Sequence, residues 1–209
     1  MDLNKWMTEI HRNAKEHGWW DGERDFNMIV DLIHSEWSEA LEEERAGRPY
    51  LWHGCITDGG VIPCETCLDC MLKAEYPNGV GCRDYVKKPE GVAVELLDGC
   101  IRILDFLGYV SKGEKIFKNK ASTIDKMCDP KTATELTGLK DGMPRDFFSL
   151  IRRLHMLTDT AGEGYVSLIA CLVICFNWIK YQYKVDPELL MMEKHEYNKT
   201  RPYKHGKKF

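Results

Sequence analysis

No run of this chain is apolar for long enough to cross a bilayer. Its most apolar stretch, Tyr165–Ile179, carries only Ser167 and Asn177 as polar breaks over 15 positions, short of the roughly 20 a membrane span needs. It predicts a fully buried helix, at the centre of a bundle or in a subunit interface. Glycine-rich phosphate loops are missing too. There is no Gly-x-x-x-x-Gly-Lys-Ser/Thr, no Gly-x-Gly-x-x-Gly and no Gly-x-Ser-x-Gly, so P-loop, dinucleotide-binding and hydrolase-elbow chemistry lose their support. Nor is there a surplus of positive charge: the net charge is −4, whereas a general nucleic-acid binder rests its affinity on basic surface. No internal repeat of useful length occurs. Cysteines are plentiful but their number, nine, is odd, and the opening Met-Asp-Leu-Asn-Lys-Trp does not read as a secretory signal. Together these predict a cytoplasmic protein with reduced thiols rather than a disulfide scaffold.

What is present is material for one helical domain. Of 209 residues, 44% are hydrophobic and 11% aromatic, ample for a core. Leu3, Trp6, Met7, Ile10 and Ala14 line one side of residues 2–17 before Gly18, predicting a first amphipathic helix. The turn Gly18-Trp19-Trp20-Asp21-Gly22 follows. Its two indoles either close a core edge, one buried and one half-exposed, or form an aromatic platform on which a base stacks. Asp25 suits the N-cap of a second helix that Gly47-Arg48-Pro49 ends.

That second helix organises the chain. Phe26, Ile29, Val30, Ile33, Trp37, Ala40 and Leu41 recur at three- and four-residue steps, the mark of an amphipathic helix. At about 100° per residue, Asn27, Asp31, His34, Ser35 and Ser38 make its polar arc, and Glu36 and Glu39 fall outside that arc. Glu36 lies between Ile29 and Ala40, and Glu39 between Met28 and Leu32, on the side that should face the core. Burying ionised carboxylates is costly without compensation, so something positive belongs there; a hard, oxygen-loving divalent cation such as Mg²⁺ is the simplest candidate.

Residues 50–88 break the helical pattern with Asp58-Gly59-Gly60, Pro63, Pro77-Asn78-Gly79 and a cluster of cysteines. Cys64, Cys67 and Cys70 share one side of a turn, and Cys82 or Cys55 would complete the four soft ligands of a structural Zn²⁺. Otherwise these are free thiols in a Cys-rich insertion. Pro89-Glu90 predicts the start of a third helix, running to Gly108. Apolar side chains cover most of its circumference, while Glu95, Asp98, Arg102 and Asp105 share one stripe. The stripe either faces water or, with the two helices antiparallel, turns Glu95 and Asp98 toward Glu36 and Glu39 so that four carboxylates meet in one gap. Residues 111–142 predict loops and short helices, 144–160 an amphipathic helix, and Asp186-Pro187-Glu188 the cap of a last helix with Leu189, Leu190, Met191 and Met192 as core material. The chain closes on a dense basic tail, about 194–209, either solvated and flexible or ordered as a phosphate clamp.

Glu36-x-x-Glu39 followed by Glu95-x-x-Asp98 resembles the metal-binding signature of the MazG-like, all-α nucleoside triphosphate pyrophosphohydrolases. The surroundings are similar as well: His34-Ser-Glu-Trp-Ser-Glu-Ala-Leu-Glu-Glu, then Pro89-Glu-Gly-Val-Ala-Val-Glu-Leu-Leu-Asp with Ile101-Arg-Ile-Leu-Asp, and the tail Lys194-x-x-x-Asn198-x-x-Arg201-Pro-Tyr-Lys-His205-Gly206-Lys207. The likeness covers about residues 1–49, 87–110 and 186–209. Ser35 stands where the family often carries an acid, and the Cys-rich insertion is not a general family feature. The resemblance implies an all-α MazG-like bundle, a four-helix core with additional helices, as a single domain over 1–209. It also implies Mg²⁺-dependent hydrolysis (Mn²⁺ serving in its place) of a (deoxy)nucleoside triphosphate between the α- and β-phosphates, and a homodimer or homotetramer. Glu36, Glu39, Glu95 and Asp98 would hold the metal, and Glu36 or Glu39 would orient or deprotonate the attacking water. Lys194, Asn198, Arg201 and Lys207 would grip the outer phosphates, and Trp19 or Trp20 the base. Two alternatives stand beside it: a non-catalytic nucleotide-sensing or zinc-braced partner-binding module, and a hydrolase of another nucleotide, such as phosphoribosyl-ATP, dUTP or dCTP.

Overall fold

Apolar side chains recurring at helical spacing become eight helices in a computed structural model that describes residues 2–22, 24–57, 60–63, 88–118, 122–137, 143–161 and 165–206. The helices are α1 (Leu3–Glu16), α2 (Phe26–Arg45), α3 (Val92–Ser111), α4 (Ile124–Met127), α5 (Pro130–Thr137), α6 (Phe147–Asp159), α7 (Val166–Tyr181) and α8 (Pro187–Lys199), followed by a 3₁₀ turn at Tyr203–Gly206. The architecture is helical. None of the described helices is long and apolar enough to cross a membrane.

Local chemistry sets the ends of these helices. Asp2, Asp25, Asp146 and Asp186 each accept a backbone N–H of the first turn, satisfying donors that a helix start leaves open. Gly18 stops α1 at a φ of +78°, and the Tyr203 ring packs where a Cβ at Gly18 would stand. Lys204 N–H also donates to the His17 carbonyl at 2.9 Å. The basic tail is thus docked onto the first helix through residue 204.

Between α2 and α3 runs a small antiparallel sheet in the order β2-β1-β3, made of β1 (Trp52–Thr57), β2 (Gly60–Pro63) and β3 (Lys88–Glu90). Pro89 and Glu90, read from sequence as the opening of the third helix, therefore belong to a strand, with Trp52 opposite Glu90 and Gly54 opposite Lys88. The helix starts two residues later. Gly91, at a φ of +106°, makes the corner; a Cβ there would press on the Pro49 and Tyr50 carbonyls. The side chain of Cys55 and all of Cys64, Cys67, Cys70, Cys82 and Lys207 lie outside the described residues.

α3 is the hub. It packs against α1, α2, α7, α8 and β3. At its seam with α2 the fully buried Trp37 ring occupies the space over Gly99, and Trp37 Nε1 donates to Thr158 Oγ1 of α6 at 3.0 Å. α7 is buried from Leu168 to Ile179 except Ile169. It packs on α3, α5 and α6 of the same chain, so its burial needs no second subunit. In α8 the expectation of four core residues holds for Leu190 and Met191 alone; Leu189 and Met192 face solvent, because a helix lying on a surface buries only one stripe.

Candidate functional site

α2 carries Glu36 and Glu39 one turn apart, and α3 carries Glu95, Asp98, Arg102 and Asp105 along one stripe. Packed together, the helices bring carboxylate oxygens of Glu36, Glu39 and Glu95 within 4.8 Å of one another. Glu36 and Glu95 are 6% and 7% exposed, while Glu39 faces solvent. The stripe on α3 therefore does not point to bulk water: Glu95 and Asp105 are buried, and Asp98 and Arg102 are partly so.

The fourth acid stands beside this trio rather than in it. Asp98 Oδ2 accepts from Lys194 Nζ of α8 at 2.8 Å, and Lys194 is only 2% exposed. Across the site, Arg102 Nε donates to Glu36 Oε1 at 2.9 Å. Two cations of the chain thus already meet part of the demand for positive charge that the buried acids create.

They do not meet all of it. Burial, with Asp98, Glu36 and Glu39 adding their charge, pushes Glu95 up to about 9 against the opposing pull of Lys194. Burial raises Glu36 as well, helped by Asp98 and Glu39 and opposed by Arg102. Burial works against the Lys194 ammonium, but Asp98 and Glu95 overcome it and hold Lys194 above its usual range. Burial first, and the neighbouring like charges second, thus favour the protonated form of Glu95.

The acids line a cleft of about 160 Å³ whose walls also include Trp19, Lys88, His195, Asn198 and Arg201. Of the residues singled out from sequence, Trp19, Glu36, Glu39, Glu95, Asp98, Lys194, Asn198 and Arg201 come together here. Trp20 lines a smaller neighbouring hollow with Arg24 and Asp105. Both indoles already carry neighbours. Arg24 and Arg102 guanidinium carbons lie 5.4 and 5.6 Å from the Trp19 ring centroid. Trp20 stacks on Tyr109 at 4.4 Å and donates through Nε1 to Asp105 at 2.9 Å.

Some of the site carried little sequence signal. Arg102 was visible as a member of the stripe, but its role as counter-ion to Glu36 follows only from the packing. Asp105 also holds His11, whose Nδ1 lies 2.8 Å from Asp105 Oδ1. His195 Nε2 and Asn198 Oδ1 are buried and without a hydrogen-bond partner among the described residues. Comparison with protein-family models, with curated proteins and with solved structures gives no match.

Proposed function

We propose that this chain is a Mg²⁺-dependent nucleoside triphosphate pyrophosphohydrolase of the MazG-like type, with Mn²⁺ able to serve in place of Mg²⁺. The observation that carries the reading is the meeting of Glu36, Glu39 and Glu95 from two helices within 4.8 Å, in a cleft that also holds Arg102, Lys194 and Arg201. The donor set is hard oxygen throughout, which suits Mg²⁺ or Mn²⁺. The raised Glu95 marks a surplus of negative charge that a dication would neutralise. Glu36, Glu39 and Glu95 would hold the ion, with Asp98 as the adjacent fourth acid. Bound there, it would neutralise phosphate oxygens and lower the barrier to attack at phosphorus.

The chain's own groups do the rest. Glu39, the exposed member of the trio, takes the proton of a water that attacks the α–β anhydride. The new O–P bond forms as the bridging P–O bond breaks, and its electron pair leaves with pyrophosphate, giving the nucleoside monophosphate. Lys194, Arg201 and Asn198 face the phosphates. A cleft of about 160 Å³ is smaller than the roughly 300–1,000 Å³ that encloses a whole small ligand; it suits the phosphates, with the base at the rim near Trp19. Were the chain a homodimer or homotetramer, the subunits would meet elsewhere than on the buried middle of α7.

The test is pyrophosphate release from a panel of ribo- and deoxyribonucleoside triphosphates, with and without Mg²⁺. Metal-dependent release of pyrophosphate and monophosphate supports the reading. Absence of turnover on the whole panel overturns it in favour of a nucleotide-sensing module.

A further inference from the structure

We infer that Arg102 is a substrate-contacting residue held in reserve: at rest its guanidinium stands in as counter-ion to Glu36, and it is handed over to the substrate's phosphates when metal and triphosphate enter together. The inference rests on the proposed pyrophosphohydrolase reading and adds to it why the site takes up a lone cation less readily than metal and triphosphate together.

The geometry has three parts. First, Arg102 is attached to Glu36 by one edge only. Its hydrogen bond runs from Nε to Glu36 Oε1 at 2.9 Å, while its terminal nitrogens make no hydrogen bond among the described residues and the side chain keeps 25% exposure in the cleft wall. The part of the guanidinium best shaped to clasp a phosphate is therefore the part left open. Second, the guanidinium lies against the Trp19 ring at 5.6 Å, a flat support along which it can shift from one anion to another without losing its cation–π contact. Third, Lys194 repeats the arrangement on the other side, bound to Asp98 at 2.8 Å and buried.

A dication arriving alone would have to take Glu36 away from Arg102 and weaken the hold of Asp98 on Lys194. It would leave Arg102 with only the more distant pull of Asp98 and Asp105, and Lys194 more weakly held, in a poorly solvated wall. Stranding one member of a buried pair is strongly unfavourable. A metal-bearing triphosphate avoids that cost, because its phosphate oxygens replace the carboxylates as partners of the displaced cations. Metal and triphosphate must then favour each other's binding, and such coupling is reciprocal. Arg102 is the more exposed of the two counter-ions and carries most of it.

Two titrations on the full chain test this. Lone Mn²⁺, followed by its paramagnetic resonance, should bind Arg102→Gln at least about 5-fold more tightly than the unaltered protein, the lower end of typical coupling between sites. Arg102→Lys, which keeps the charge but loses the fork, should leave lone-metal affinity near that of the unaltered protein. In excess Mg²⁺, inorganic tripolyphosphate measured by calorimetry should bind both variants about 10-fold or more weakly, the scale of one charge-assisted hydrogen bond. Lone-metal affinity unchanged or weakened in Arg102→Gln, or tripolyphosphate affinity unchanged in both variants, overturns the hand-over. Should Arg102→Gln fail to fold, the unaltered protein decides: lone Mn²⁺ binding that tripolyphosphate does not tighten overturns it as well. Pyrophosphate release by the unaltered protein judges the underlying reading separately, so either idea can fail alone.

Discussion

α3 faces two interiors that are chemically opposite. Toward α7 it presents Cys100, which lies against Cys175, in a core of Leu172, Phe176 and Ile179, all without exposure. Toward α2 and α8 it presents Glu95, Asp98 and Arg102, and toward α1 Asp105. On the first side burial simply neutralises: the Cys171 thiol is pushed up to about 12 and Cys175 higher than its ordinary range, so these sulfurs stay protonated and inert. On the second side burial meets counter-ions from two helices, Arg102 of α3 and Lys194 of α8, and charge persists. Charge survives inside a helical protein where partners from separate elements converge on it, and its incomplete compensation by Arg102 and Lys194 leaves room for a metal.

The sharpest way to break this comparison is to remove one acid without touching the core. Glu39→Gln should lower pyrophosphate release about 10²–10⁴-fold, the contribution of a general base, with an unchanged thermal midpoint because Glu39 is exposed. A near-normal rate would remove Glu39 from the chemistry. The converse change, Phe176→Ala on the apolar side, should cost about 3–5 kcal/mol in denaturant unfolding. Its midpoint should shift with Mg²⁺ only as much as that of the unaltered protein.

Gly99→Ala tests the seam where the two interiors meet. Its methyl would overlap the Trp37 ring, so overpacking should cost about 1–3 kcal/mol and, by spreading α2 from α3, weaken Mn²⁺ binding. Full stability together with intact metal binding would show the seam to be slack.

The smallest effect has the most informative sign. Glu95 titrates near 9 in the folded chain against an ordinary value of 4.5, so between these values the folded state holds a proton that the unfolded chain has released. Its contribution to stability therefore falls as pH rises through that window. Glu95→Gln should raise the melting temperature at pH 8 without metal by roughly 2–4 °C per kcal/mol of relieved burial for a chain of this size. The gain should fade toward pH 4.5, and metal binding should weaken in this variant. A lower melting temperature at pH 8 would mean that Glu95 is ionised and paired.

How far this could be read from the residues follows from the same contrast. Glu36 was legible because α2 has a clear apolar face and this acid interrupts it; Glu39, expected on that face between Met28 and Leu32, instead faces solvent beside an exposed Met28. α3 has no such face, being apolar almost all round, so whether its stripe met water or the acids of α2 depended on packing. The pairing of Asp98 with Lys194 joins residues far apart in sequence, and no local pattern announces it. Pro89-Glu90 imitates a helix start, but pairing with β1 outweighs that local preference and delays the helix to Val92.

The central claim, that Glu36, Glu39 and Glu95 form a metal site with one proton too many, is tested most directly by titrating the weakly buffered protein with Mg²⁺ at pH 7.5 and measuring protons released. The account predicts about one proton per bound ion, as Glu95 ionises to become a ligand, and none from Glu95→Gln. Binding without proton release, or equal release from that variant, would contradict it.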